Sequence, residues 1–280
     1  MLAELAGIWP HFMTDSSSAH ETPRTPHHHA PKAGPKPDRD ALFQSPRKRA
    51  DDFEFGAKTA AVFDDMLDRS VPYYAEIQRM VSELAADFAQ EGSAIYDLGC
   101  STGTSILGIE RALPADRHVR FVGVDYSPEM LEKARRKLEE ASMRSPFELR
   151  HGDLNQGVVI EGASVALLVL TLQFVRPLNR ETLLANVARS LNSQGCAIIV
   201  EKVLGDSSTL NRLFIEHYYD LKRRNGYSDL EISQKREALE HVLVPYQLQE
   251  NRELLARAGF QHSDVFFKWY NFCGIIAVKQ

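Results

Sequence analysis

The sequence predicts an α/β protein built on a doubly wound, mostly parallel sheet of seven strands that ends in an antiparallel hairpin. Three observations carry that prediction. From Phe53 onward, short apolar runs alternate with segments of helical period, as strand–helix units require. The run over residues 196–202 has almost no polar interruption, the pattern of a strand buried on both faces of a parallel sheet. Finally, a glycine-bearing turn over residues 97–103 joins an apolar strand to a helical segment.

The elements follow in order. Residues 53–66 and 72–89 read as amphipathic helices, the second with Ile77, Met80, Val81, Leu84 and Phe88 at helical spacing. Residues 94–98 form a strand, 104–113 a helix and 119–125 a second strand. Ser127 and Pro128 open the next helix as N-cap and first helical residue. Strands are expected over 147–151, 165–170 and 196–202, with Asn179 capping a helix that runs to Leu191. Two helices follow, a third covers 247–258, and residues 263–269 and 272–278 are close enough to pair as a hairpin.

With 280 residues, 44% hydrophobic and 25% charged, the chain can bury a full core. The net charge of −5 argues against nucleic acid or an anionic membrane as a direct partner. No apolar run reaches the ~18 residues of a membrane span. Cys100, Cys196 and Cys273 are odd in number and lack metal-ligand spacing, which fits a reducing cytoplasm. Residues 1–40 read as a disordered leader: Ser, Pro, His and Lys dominate from Thr14, with little to bury. His27-His28-His29 within it reads as a solvated run, since no second ligand cluster fixes a geometry, and no metal is expected. The short basic clusters Arg47-Lys48-Arg49 and Lys222-Arg223-Arg224 read as solvated surface.

The chemistry concentrates at the strand ends. In Tyr96-Asp97-Leu98-Gly99-Cys100-Ser101-Thr102-Gly103, Gly99 permits a tight turn and close backbone approach, and the helix start offers free N–H groups. A dinucleotide fingerprint would need a glycine where Ser101 stands. Asp97 can pair with an ammonium group. Asp125, closing the second strand, can take both hydroxyls of a ribose. Asp153, after the third strand, can accept from an adenine amine. Each acid alone could be a turn or capping residue. Three at successive strand ends beside a glycine turn describe a site for S-adenosylmethionine (SAM).

The stretches 66–74 (Met-Leu-Asp-Arg-Ser-Val-Pro-Tyr-Tyr), 96–101 (Tyr-Asp-Leu-Gly-Cys-Ser), 171–174 (Thr-Leu-Gln-Phe) and 224–236 (Arg-Asn-Gly-Tyr-Ser-Asp-Leu-Glu-Ile-Ser-Gln-Lys-Arg) resemble the carboxy-S-adenosyl-L-methionine synthase family. The likeness runs from about Asp40 to the C-terminus. It implies a Rossmann-like class I methyltransferase fold as one domain over 41–280, with an N-terminal helical cap and a helical insertion at about 205–245. It implies a transferase that makes carboxy-SAM and phenylpyruvate from SAM and prephenate, without a metal. The product would serve a separate enzyme that modifies the tRNA wobble uridine to its 5-oxyacetic acid form. The resemblance also implies a homodimer. Family ligand positions fall on Tyr74, Gly99, Cys100, Ser101, Asp125, Tyr126, Asp153, Leu154 and Arg236. One position departs: Val169 stands where the family has an asparagine, so a ligand hydrogen bond is missing or comes from elsewhere.

Prephenate is a dianion, so cations must face the pocket. Ser228-Asp-Leu-Glu231 is a capping box that starts a helix, and Ile232, Arg236, Leu239 and Leu243 then share one face. An arginine inside an apolar stripe is costly to bury unless an anion meets it, and its planar fork suits a carboxylate. Arg236 is therefore the expected catalytic cation. Prephenate supplies its own base and its own carbon dioxide in the family's chemistry, so no protein base is required. His151 is unassigned, and His217, on an expected buried stripe with Leu210, Phe214 and Leu221, reads as structural. The alternatives at this stage are a methyltransferase acting on a small molecule and a silent SAM-binding protein.

Overall fold

A parallel sheet whose strand order reverses beside its first strand leaves a crevice at that point, and this chain builds one. The computed structural model describes residues 39–46 and 52–280. Most of the expected leader, including His27 to His29, and the Arg47–Arg49 cluster lie outside the described residues. The helices are α1 (Ala57–Ser70), α2 (Tyr74–Phe88), α3 (Thr104–Ala112), α4 (Pro128–Glu140), α5 (Pro177–Ser190), α6 (Ser208–Arg224), α7 (Asp229–Leu239) and α8 (Leu248–Arg257). The strands are β1 (Ala94–Leu98), β2 (Arg120–Asp125), β3 (Phe147–His151), β4 (Ala163–Val169), β5 (Leu191–Leu204), β6 (Tyr246–Gln247), β7 (His262–Trp269) and β8 (Phe272–Val278).

Seven strands pair in the order β3-β2-β1-β4-β5-β8-β7. The first five run parallel, and β8 lies antiparallel between β5 and β7. The chain therefore turns from β1 outward to β3, then returns to the other side of β1 through β4. The carboxyl ends of β1, β2 and β4 flank the reversal, where ligands of open α/β sheets bind. The central strands are buried on both faces, with Tyr96, Leu98, Val165, Leu167, Ile198 and Val200 among the side chains excluded from solvent. β6 adds a two-residue parallel pairing at the end of β5. It is too short to leave a periodic signal.

Local chemistry sets the helix starts. Ser127 accepts from Met130 N at 3.1 Å, with Pro128 as first helical residue of α4. Ser228 and Glu231 form the expected capping box of α7. Asn179 does not cap α5. Pro177 opens that helix, and Asn179 lies inside it, donating to the Asn155 carbonyl at 3.2 Å. Fixed proline geometry decides the start three residues earlier than an amide cap at Asn179 would.

The insertion and the N-terminal segment are stitched together. Gln234 Nε2 donates to the Phe43 carbonyl at 2.7 Å, Arg69 donates to the carbonyls of Asn225 and Gly226, and Phe53 N donates to Ala238 O. Tyr227 donates its hydroxyl to Asp40 Oδ2 at 2.6 Å. Asp40 is thus a buried member of the fold rather than the end of a solvated leader. Its carboxylate meets a phenol and an ammonium (Lys235 Nζ at 3.8 Å), partners that composition over a local window does not reveal.

Candidate active site

A cavity of about 560 Å³ opens over the carboxyl ends of the parallel strands, roofed by the N-terminal helices and the insertion. All the expected ligand positions line it: Tyr74, Asp97, Gly99, Cys100, Ser101, Asp125, Tyr126, Asp153, Leu154 and Arg236.

The glycine turn forms its floor. Gly99 has φ +85°, and a Cβ there would stand 2.3 Å from Thr171 Oγ1. Both sterics and backbone conformation therefore demand glycine. Ser101 also adopts a left-handed φ of 47°, a strained geometry for a residue with a side chain. That turn aims Ser101 N at Asp125 Oδ2 (2.8 Å), while Ser127 N donates to Asp125 Oδ1 (2.9 Å). Burial nevertheless raises the Asp125 pKa above the ordinary carboxylate range, because these amides only partly offset the desolvation.

Asp97 is the least comfortable of the three acids. It is buried, and among the described residues its carboxylate has neither a hydrogen bond nor an ion pair. Burial, reinforced by the charge of Asp125, pushes its pKa up to about 7. An ammonium arriving in the cavity would relieve that cost. Asp153, at the far side, caps the short 3-10 turn Leu154–Gln156, accepting from Asn155 N at 2.9 Å. Capping leaves room for a ligand, since its other oxygen meets only Gln156 Nε2 at 3.3 Å and the residue lines the cavity. Tyr126 is an exposed flap beside the His151 ring. His151 Nε2 lies 2.8 Å from the Tyr126 carbonyl on the exposed surface, a placement that suits a prop rather than a proton relay. Burial raises the Cys100 thiol far above its usual pKa, so it packs against the turn as a neutral group.

The cap is tied to the floor. Asp64 of α1 accepts from Thr102 Oγ1 at 2.6 Å and pairs with Lys137 of α4 at 3.1 Å. Burial works against its ionisation, but Lys137, Thr102 and Lys133 outweigh it and hold the carboxyl below its ordinary pKa. Tyr74, at the start of α2, is buried in the cavity wall and accepts from Gln78 Nε2 at 3.0 Å.

The basic side departs from expectation. Arg236 is exposed at the cavity mouth, not buried in an apolar stripe: α7 turns Ile232, Lys235 and Ala238 inward instead. Conversely, Lys222 is not solvated surface: it is buried in the wall. Lys202, at the end of β5, also faces the cavity. Burial pushes Lys202 and Lys235 down to about 8 and Lys222 well below the ordinary lysine range. The expected stripe on α6 is displaced too. Tyr218 and Lys222 are its buried residues, Leu210 is exposed, and His217 stacks on Tyr270 with centroids 4.6 Å apart. Val169 lines the cavity with an apolar side chain, while its carbonyl accepts from Thr171 Oγ1 at 3.2 Å.

Among the described residues no cluster of three or more His, Cys, Asp or Glu is placed to hold a metal, and no helix is long and apolar enough to cross a membrane.

Comparison with known proteins accords with this geometry. A methyltransferase-domain family matches residues 95–195. The carboxy-S-adenosyl-L-methionine synthase of Methylococcus capsulatus is 56% identical over 241 residues, covering 86% of this chain and 99% of that protein. The enzyme of the same name from Desulfotalea psychrophila is 42% identical over 241 residues, covering 86% and 97%. Among solved structures, a SAM-dependent methyltransferase from Aquifex aeolicus superposes with TM-score 0.53 at 13% identity, covering 81% of this chain and 100% of that one. Human N-acetylserotonin methyltransferase in complex with SAM superposes with TM-score 0.52 at 15% identity, covering 80% and 55%. These structures share the fold.

Proposed function

We propose that this chain, which belongs to the carboxy-S-adenosyl-L-methionine synthase family, converts SAM and prephenate to carboxy-SAM and phenylpyruvate. The observation that carries the reading is one cavity with two chemically opposite halves. Carboxylates at the ends of β1, β2 and β3 suit a cationic nucleoside, and ammonium groups beyond β4 suit a dianion.

The site residues divide accordingly. Asp97 takes the ammonium of SAM, Asp125 the ribose hydroxyls and Asp153 the adenine amine, with Gly99, Cys100, Ser101, Tyr126 and Leu154 shaping the contact. The sulfonium methyl must lose a proton before its carbon can attack carbon dioxide. Prephenate releases carbon dioxide and its ring hydroxide as the ring becomes aromatic. The hydroxide takes the methyl proton, leaving as water, and the resulting ylide carbon bonds to the carbon dioxide. The chain's own work is then positioning and exclusion of water. Phe55, Phe63, Phe174 and Phe272 in the cavity lining support a water-poor site. Arg236, at the mouth, meets the carboxylate of the product.

The same reading extends outward. The product serves a separate enzyme that acts on the tRNA wobble uridine, and the chain works as a cytoplasmic homodimer. Exposed Leu210, Leu213 and Tyr270 supply an apolar face that supports self-association, and three buried free cysteines suit a reducing compartment.

The test is product identification. Purified protein incubated with SAM and prephenate is expected to yield a nucleoside heavier than SAM by the mass of carbon dioxide, together with phenylpyruvate. Formation of S-adenosylhomocysteine instead would make the chain a methyltransferase, and SAM binding without turnover would make it a silent binder.

A further inference from the structure

We propose that Lys202 and Lys222, standing on either side of the Tyr218 ring, form the binding wall for the carboxylates of the second substrate. This rests on the reading of that substrate as prephenate given above, and assigns residues that the resemblance does not.

The argument starts from cost. An ammonium taken out of water is expensive unless a carboxylate or a set of acceptors meets it. Lys235 obeys that rule: Ser70 Oγ accepts from its Nζ at 3.2 Å, and the Asp40 carboxylate lies 3.8 Å away. Lys202 and Lys222 do not. Among the described residues neither Nζ has a hydrogen-bond partner or a carboxylate at ion-pairing distance. Each instead faces Tyr218, with Nζ 5.1 Å (Lys202) and 4.7 Å (Lys222) from the ring centroid. Cation–π attraction recovers only a part of the loss. The nearby charges do little more. Asp40 favours the charged form of Lys222, while Lys235 and Lys202 oppose it. Glu201, next to Lys202 in β5, points to the opposite side of the sheet and accepts from Leu172 N at 2.9 Å. Two cations thus share one wall with no carboxylate at ion-pairing distance among the described residues, and both line the cavity.

Position completes the case. The sulfonium of SAM lies between its ammonium and its ribose, hence between Asp97 on β1 and Asp125 at the end of β2, with β4 flanking β1 on its other side. β4 is the next strand, with apolar Val169 and Leu170 in the lining, and β5 follows with Lys202 at its end. A dianion held by the two lysines would therefore sit across an apolar strip from the methyl group, its ring against Tyr218 and Phe272.

The experiment compares wild type with Lys202→Met, Lys222→Met and Lys222→Arg. Methionine keeps the length and apolar stem while removing the charge. Charged hydrogen bonds of this kind are worth about 10- to 100-fold in affinity, and the methionine variants are expected to raise the KM for prephenate by that factor. The Kd for SAM by calorimetry should stay within about twofold, and the melting temperature should hold or rise, as for a cation placed for function rather than for stability. Lys222→Arg should recover part of the KM. An unchanged prephenate KM in both methionine variants overturns the proposal, as does a melting temperature that falls together with an equal loss of SAM affinity. Absence of carboxylated product from wild type in the same assay would overturn the underlying reading instead, and this inference with it.

Discussion

A single buried carboxyl group, Asp97, ties the stability of the chain to pH. Asp97 titrates near 7 in the folded chain, whereas an aspartate in the unfolded chain titrates near ~3.9. The native state therefore binds more protons between those values, and stability falls as pH rises through that window. Above it, the ionised group carries an uncompensated cost that an ammonium relieves. Asp97→Asn is expected to raise the melting temperature of the ligand-free protein at pH 8 while weakening SAM binding about 10- to 100-fold, the worth of a charged hydrogen bond. Differential scanning fluorimetry and calorimetry at pH 8 read both. Gly99→Ala should behave differently. Its left-handed backbone costs ~1–2 kcal/mol with a side chain, and contact with Thr171 adds to that. Loss of both stability and SAM binding is expected, seen in a lower urea midpoint and in absent binding heat.

Two elements hold the roof over those residues, and each offers a handle. Ser228 caps α7, which carries Lys235 and Arg236, so Ser228→Ala is expected to cost ~1 kcal/mol in denaturant unfolding. On α1, Asp64 has a depressed pKa, so its contribution is present above the unfolded value near ~3.9 and disappears as pH falls through the lower folded value. Asp64→Asn should destabilise at pH 7 by ~1–3 kcal/mol, and that difference should shrink as pH falls below the unfolded value, measured by urea titration across the acid range. Such pairings also mark what the chain's letters could disclose. β1, β3 and the α4 start were legible because apolar period and Ser-Pro capping are local signals. The facing of α7 was not: Ile232 is shared by two neighbouring faces, the spacing to Arg236 and Leu239 picks one, the fold buries the other with Lys235 and Ala238, and Leu243 lies beyond the helix end at Leu239. The inward residue is Lys235, whose burial depends on Asp40, almost two hundred positions away. The three strand-end acids were legible as a set, since topology alone brings strand ends together. Lys202 and Lys222 were masked by looking like ordinary sheet-end and surface cations.

At the scale of the whole molecule, the reversal of strand order beside β1 puts a nest of carboxylates and a wall of ammonium groups into one chamber. SAM carries a net positive charge, so the lysine wall disfavours its entry, and a dianion screens that repulsion. Coupling between two ligands is reciprocal: whatever factor the first lends the second, the second returns. Occupancy by both guests is therefore favoured over occupancy by either, and half-filled enzyme, which would hold SAM without the base and the carbon dioxide that the second guest brings, is the scarcer species.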